Sequence, residues 1–309
     1  MLENFYVAKY KFTITCRENL YLPPYKGSTL RGGFGSVFRR ICCVNKKASS
    51  CNICPLKEKC VYAYVFETSP PENSERLKKI TEIPRPFVIE PPLKSKCKYF
   101  SGEDIDFGLV LIGRAIGYLP YFIFTFRELG EVGIGKERGK FLLSKVESNG
   151  KLIYSCEDDT VKKVGVIFKP EPVSLNGSLI TLNFLTPTRL KFEQDLVANP
   201  EFHYIIRALL HRISALSYFH CGQELALDYR RLIAESEKVK IKKENTEWVD
   251  WERYSSRQQT RMKLGGFVGS VTYNGDLSNF QELLALGEYV HIGKGCTFGL
   301  GKYEIMGSN

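Results

Sequence analysis

The sequence has no apolar run long enough to cross a bilayer; the longest lies around residues 118–126 of 309. Its opening, MLENFYVAKYKF, lacks the basic-then-apolar build of a secretory signal, so a cytoplasmic location without a membrane partner is expected. There, ten cysteines point to reduced thiols or metal ligands rather than disulfides. No Gly-x4-Gly-Lys-Ser/Thr loop occurs, which removes the Walker class of nucleotide binders. Histidine is scarce as well: the chain has four, and none precedes His203.

What is present suits a folded, basic protein. Hydrophobic residues make up 43% and aromatics 13%, and the length fits two domains of ordinary size. Lys and Arg number 44 against 34 Asp and Glu, giving a net charge of +10. That balance favours a polyanionic partner: RNA, DNA or an anionic surface.

The densest glycine run is GEYVHIGKGCTFGLGKY, residues 287–303. An apolar segment and not a helix follows it, so it is no dinucleotide fingerprint. Gly293, Gly295, Gly299 and Gly301 let backbone approach a ligand closely, and successive N–H groups in such a loop can cradle an anion. His291, Lys294 and Lys302 are threaded among them. An earlier stretch, LGEVGIGKERGKF (129–141), repeats the Leu-Gly-Glu start, the Ile-Gly-Lys centre and the Gly-Lys-aromatic end, and carries Lys136 and Arg138. Apolar runs and helix-length segments precede both copies. Recurrence on this scale predicts two copies of one unit, the second with an enlarged loop.

Taken in order, residues 4–15 alternate as a strand, and a helix follows from Ser28 or Thr29 as cap to about Cys42. Arg31, Arg39 and Arg40 lie on it, with interior glycines that suggest close approach by backbone or a ligand. Four cysteines come next, Cys43, Cys51, Cys54 and Cys60, spaced Cys-x7-Cys-x2-Cys-x5-Cys. Such a set closes a tetrahedral structural zinc site; an iron–sulfur cluster takes the same ligands. Residues 61–68 read as a strand, 87–90 as an extended segment between prolines, 104–113 as a strand, 116–129 as an apolar helix and 140–147 as a strand. Residues 148–175 read as a linker with a ribbon.

The second unit opens with a strand at 177–186. Asn199-Pro200-Glu201 starts a helix with its apolar face at Phe202, Ile205, Ile206, Leu209, Leu210, Ile213 and Leu216, ending at Gly222. His203 and His211 share the opposite face, ~12 Å apart and too far for one metal, as surface residues. Arg253, Arg257 and Arg261 recur every four residues beside Trp248, Trp251 and Tyr254. That spacing predicts a helix suited to single-stranded nucleic acid. A strand at 266–273 and a helix at 278–286 complete a second β-α-β-β-α-β series. The expectation is an α+β chain: one unit over 1–147 with a Cys-rich insertion at about 43–60, a linker at 148–175, and a second unit over 176–309.

Several stretches together carry a family likeness: LRGGFGSVFRR (30–40), CNICPLKEKC (51–60), FVIEPP (87–92), LIGRAIGYLPY (111–121), YFHCG (218–222), RYSSRQ (253–258), LGGFVGSVTY (264–273) and HIGKGCTFGLGKY (291–303). The chain resembles the repeat-associated mysterious proteins (RAMPs) of CRISPR systems, and within them the Cas-six endoribonucleases that process precursor CRISPR RNA. The resemblance implies tandem ferredoxin-like domains and metal-independent cleavage within the repeat. In that reaction a ribose 2′-hydroxyl attacks phosphorus and leaves a 2′,3′-cyclic phosphate. It also implies repeat RNA, and other Cas effector subunits, as partners. This chain departs from the family in having Ser36 where a first-helix histidine would be expected. His291 as base with Lys294 as charge stabiliser is the leading assignment; His220, or Tyr25 with Lys26, are the others. A catalytically inactive RAMP subunit that holds repeat-derived crRNA is the second reading, and a metal-stabilised nucleic-acid-binding module the third.

Overall fold

The computed structural model describes residues 4–47, 50–68, 83–162, 167–171, 178–193, 195–250, 252–255, 260–263 and 265–306, with 252–255 and 260–263 as backbone. The chain divides into two compact units. The first takes in Asn4–Phe168 and Ala215–Gln223; the second takes in Lys169–Ser214 and the chain from Glu224 onward.

In the first unit, β1 (Val7–Cys16) leads to α1 (Gly27–Cys42) and a short helix α2 (Val61–Val65). Then come β2 (Phe87–Glu90), β3 (Asp104–Ile112), α3 (Leu119–Val132), β4 (Phe141–Ser148), β5 (Lys151–Ser155) and β6 (Ile167–Phe168). The sheet runs β2-β3-β1-β4-β5, with β6 paired to β1, and its pairs are antiparallel. Alternation along β1 buries Tyr10, Phe12 and Ile14 on the helix side. There Phe34 of α1 stacks on Phe122 of α3 at 4.7 Å, with Phe38, Phe87, Phe107 and Phe126 around them.

The second unit has β7 (Leu179–Thr188), α4 (Phe202–Leu216), α5 (Tyr229–Ser236), β8 (Lys240–Val249), β9 (Glu252–Ser255), β10 (Thr260–Lys263), β11 (Gly266–Asn274), α6 (Gln281–Val290) and β12 (Tyr303–Met306). Its sheet runs β8-β11-β7-β12. The expected apolar face of α4 is buried at every named position. A π-type turn, Ser217–Cys221, extends α4 to Gly222, whose φ of 67° closes the helix as anticipated.

Four local expectations differ. Helix α1 begins at Gly27, with Lys26 at the cap position making no side-chain cap bond, so neither Ser28 nor Thr29 caps it. Residues 61–65 are helix and not strand, because packing of Tyr62, Ala63 and Val65 on the aromatic core overrides the β-propensity of VYAYV. Part of the expected linker joins the first sheet. Asn149 and Gly150, at φ 47° and 72°, make the two-residue turn that folds β5 onto β4. The predicted arginine helix is a ribbon instead. Strands β9 and β10 pair with Arg253 opposite Met262 and Tyr254 opposite Arg261, which removes the four-residue face; Arg257 and Trp251 lie outside the described residues. Among the described residues no helix is long and apolar enough to cross a membrane.

Candidate nucleic-acid interface and cysteine cluster

The two repeated loops each join a helix to the strand that pairs with the first strand of its unit: α3 to β4, and α6 to β12. Each helix ends on a residue of positive φ, Gly133 (φ 79°, ψ 159°) in the first and His291 (φ 60°, ψ 172°) in the second. His291 is fully buried, and its Nδ1 lies 3.1 Å from the Leu300 carbonyl. A carbonyl only accepts, so Nδ1 carries the ring proton. A ring enclosed in this way cannot reach a ribose hydroxyl, which corrects its assignment as the base.

The loop is also not a row of open peptide donors. The N–H groups of His291, Ile292, Lys294, Phe298, Gly299 and Gly301 are donated to backbone carbonyls, and that of Lys302 to the Thr186 hydroxyl. Gly293, Gly295, Gly299 and Gly301 all take positive φ, so they shape the loop rather than bare it. What the loop offers outward is Lys294, which is exposed; Lys302 is half-buried. In the first loop Lys136 and Arg138 are both exposed.

His211 of α4 is exposed and lies within the electrostatic reach of Lys294 in the second loop. The protein bulk around its ring, followed by the charges of Lys294 and Arg212, holds its pKa below the ordinary histidine value. Arg212 itself is buried. Its Nε donates to the Val290 carbonyl at 2.7 Å, while its Nη2 finds no acceptor among the described residues. Sequence spacing alone held no sign of this grouping, because α4 and the loop meet only in the folded unit. His203, the other surface expectation, is half-buried, with Nδ1 3.4 Å from Glu201.

The remaining candidates are mostly engaged. His220 is buried in the first unit; its Nε2 donates to the Pro84 carbonyl at 2.9 Å, so Nδ1 accepts from the Tyr64 hydroxyl at 3.1 Å. Burial lifts the Tyr64 phenol to about 12, against the opposing effect of Arg114. Lys26 is buried and donates to the carbonyls of Pro24 and Lys94, each at 2.8 Å; burial lowers its pKa. Tyr25 is half-buried. Arg31 lies 4.4 Å over the Phe66 ring, which explains its place in α1 by packing. Arg39 and Arg40 are exposed, with Arg40 3.7 Å from Glu128.

Cys43, Cys51, Cys54 and Cys60 line one concavity of the first unit, together with Arg39 and Asn45. Cys51 and Cys54 span a single turn closed by the Cys54 N–H on the Cys51 carbonyl at 3.2 Å. As the side chains lie, no three metal-ligating groups among the described residues meet around a common point.

Comparison with known proteins bears on both halves. The pattern of the AF_1859_N family, an N-terminal domain, matches residues 5–166, and that of the CRISPR-associated endoribonuclease Cas6 family matches residues 182–303. An uncharacterized protein of Archaeoglobus fulgidus is 27% identical over 297 residues, covering 92% of this chain and 93% of its own. The fold is similar to that of a Cas6 product complex (TM-score 0.59, 15% identity, 97% of this chain and 100% of that one). It is also similar to Thermus thermophilus Cas6 (TM-score 0.54, 15%, 98% and 99%). In a partial Cas6-RT-Cas1–Cas2 complex the likeness covers 98% of this chain but 46% of the other (TM-score 0.57, 13%).

Proposed function

The chain belongs to the AF_1859_N family and carries a Cas6-family domain in its second half, a RAMP protein, and from that premise we propose that it binds precursor CRISPR RNA and cleaves it within the repeat. Supporting this, each unit arranges its strands as a ferredoxin-like β-α-β-β-α-β fold does. The first strand sits between the third and the fourth, with the second at the edge. RNA and further Cas subunits are the partners this reading implies.

The observation that carries the catalytic part is His211, exposed within the electrostatic reach of Lys294 and with its pKa held low. A general base must be neutral at working pH, and the protein bulk around this imidazole, followed by the charges of Lys294 and Arg212, favours its neutral form. In the proposed step His211 takes the 2′-hydroxyl proton as the 2′-oxygen attacks phosphorus. The Lys294 ammonium offsets the charge gathering on the phosphorane and returns a proton to the departing 5′-oxygen. The products are a 2′,3′-cyclic phosphate and a 5′-hydroxyl, and no metal takes part. Lys136, Arg138, Arg39 and Arg40, all exposed, serve as phosphate contacts.

The test is incubation with the cognate repeat RNA in EDTA. The wild type should yield the cyclic phosphate, with a rate that rises with pH to a midpoint below 6.5 and then levels. His211→Ala and Lys294→Ala should each slow cleavage about 100-fold or more while repeat binding changes little. Unchanged rates in both variants would remove this pair from the mechanism. A second reading, a non-catalytic subunit that holds crRNA, is favoured by the burial of His291, His220 and Lys26. It predicts tight repeat binding with no product, and equal binding of random RNA would sink both readings.

A further inference from the structure

The segment from Cys43 to Cys60 is built inside out. Val44, Ile53 and Leu56 are 79%, 71% and 46% exposed, and among its described residues none is buried. The residues it turns inward are Cys43, Asn45, Cys51, Cys54, Lys57 and Cys60. A surface segment with no apolar core still has to repay the entropy of ordering its backbone. Here the inward face consists of four thiols, one amide and one amine.

Where those thiols sit is equally telling. Cys43 follows the last residue of α1 and donates its N–H to the Arg39 carbonyl at 2.9 Å; Cys60 immediately precedes α2. Cys51 and Cys54 bracket one tight turn, a second turn runs from Cys54 through Lys57 to Cys60, and Asn45 Nδ2 points at Cys54 Sγ from 3.8 Å. All four cysteines line the same concavity. Four thiolates around a divalent ion leave two negative charges, and Arg39 and Lys57 line that concavity to offset them.

We propose that Cys43, Cys51, Cys54 and Cys60 bind one structural zinc ion that fastens the end of α1 to the start of α2. Binding draws the sulfurs in by rotation about χ1 from their present positions, and the thiol protons leave to solvent. The site is independent of the RNA reading and stands whether or not the protein cleaves.

Metal content decides it. Full-length protein purified with a thiol reductant and supplied with zinc should hold one zinc per chain by elemental analysis. Treatment with an organomercurial should release that equivalent to a zinc-sensitive dye. Cys51→Ser/Cys54→Ser should drop the content to about a tenth or less, whereas Cys97→Ser and Cys156→Ser, outside the set, should keep it. Should the double variant not fold, the dye release from wild type carries the result alone. Protein that holds no zinc, a double variant that keeps it, or a brown product with iron and sulfide would each overturn the zinc assignment.

Discussion

His291 and Gly133 hold one position in two copies of the same loop. The copies align as His-Ile-Gly-Lys and Gly-Ile-Gly-Lys, and both residues end their helix at positive φ. A side chain there is strained, yet in the second copy it is kept, and its ring bonds the Leu300 carbonyl. The sequence repeat therefore did reveal where the loops lie, but not that the imidazole points inward; a glycine-lined histidine reads the same from either side. His291→Ala should cost ~1–3 kcal/mol of stability in denaturant unfolding, through the lost buried hydrogen bond and packing. Cleavage well below the melting temperature should be retained. His203 and His211 make a second prediction. Both titrate below 6.5 when folded, so the unfolded chain takes up protons that the folded chain refuses in that window. Stability should thus be full above pH 6.5 and fall as pH drops below it, and His211→Gln should flatten part of that slope.

Between elements, small residues decide how closely helices approach. Alanine at Gly32 would meet nothing within 4 Å, whereas its Cβ at Gly35 would overlap the Phe66 ring. Gly32→Ala should therefore stabilise α1 by about 0.5–1 kcal/mol, and Gly35→Ala should destabilise by ~1–3 kcal/mol despite the same gain in helix propensity. Paired denaturation curves would check both signs. The long periodic helices α3, α4 and α6 were legible because one apolar stripe each faces a core. The expectation of a linker with a ribbon over 148–175 did not single out the Asn149-Gly150 turn, although Asn-Gly is a strong short hairpin signal and folds β5 onto β4. Helix α2 and the β9–β10 ribbon were not legible, since aromatic-rich segments of that length carry helical and extended patterns equally well. Arginine spacing of four meant a shared face only if the backbone were helical.

For the chain as a whole, a net charge of +10 and exposed cations on both repeated loops make the proposed RNA binding an ionic matter. The logarithm of affinity should fall linearly with that of salt concentration, by about 0.7 for each phosphate neutralised on a single strand. Filter binding across a salt series would measure it. Lys136→Ala/Arg138→Ala should shallow the slope without changing which repeat is preferred. The duplicated architecture itself was readable, because both copies of the loop survive as a textual echo. The electrostatic effect of Lys294 on His211 was not, as no local pattern links a helix midpoint to a distant turn.

Nine residues near the middle of the later half, Ala215–Gln223, are housed with the earlier half, where His220 ties Tyr64 to Pro84. A gene cut at residue 168 therefore does not separate two self-sufficient products. The leading fragment alone keeps Arg114 over Tyr64 but loses the His220 ring that joins Tyr64 to Pro84, and should be recovered soluble chiefly when the trailing fragment is co-expressed to complement it. Ribosomes face the same order of events: the earlier half can finish its interior only after the chain has been made past Gln223.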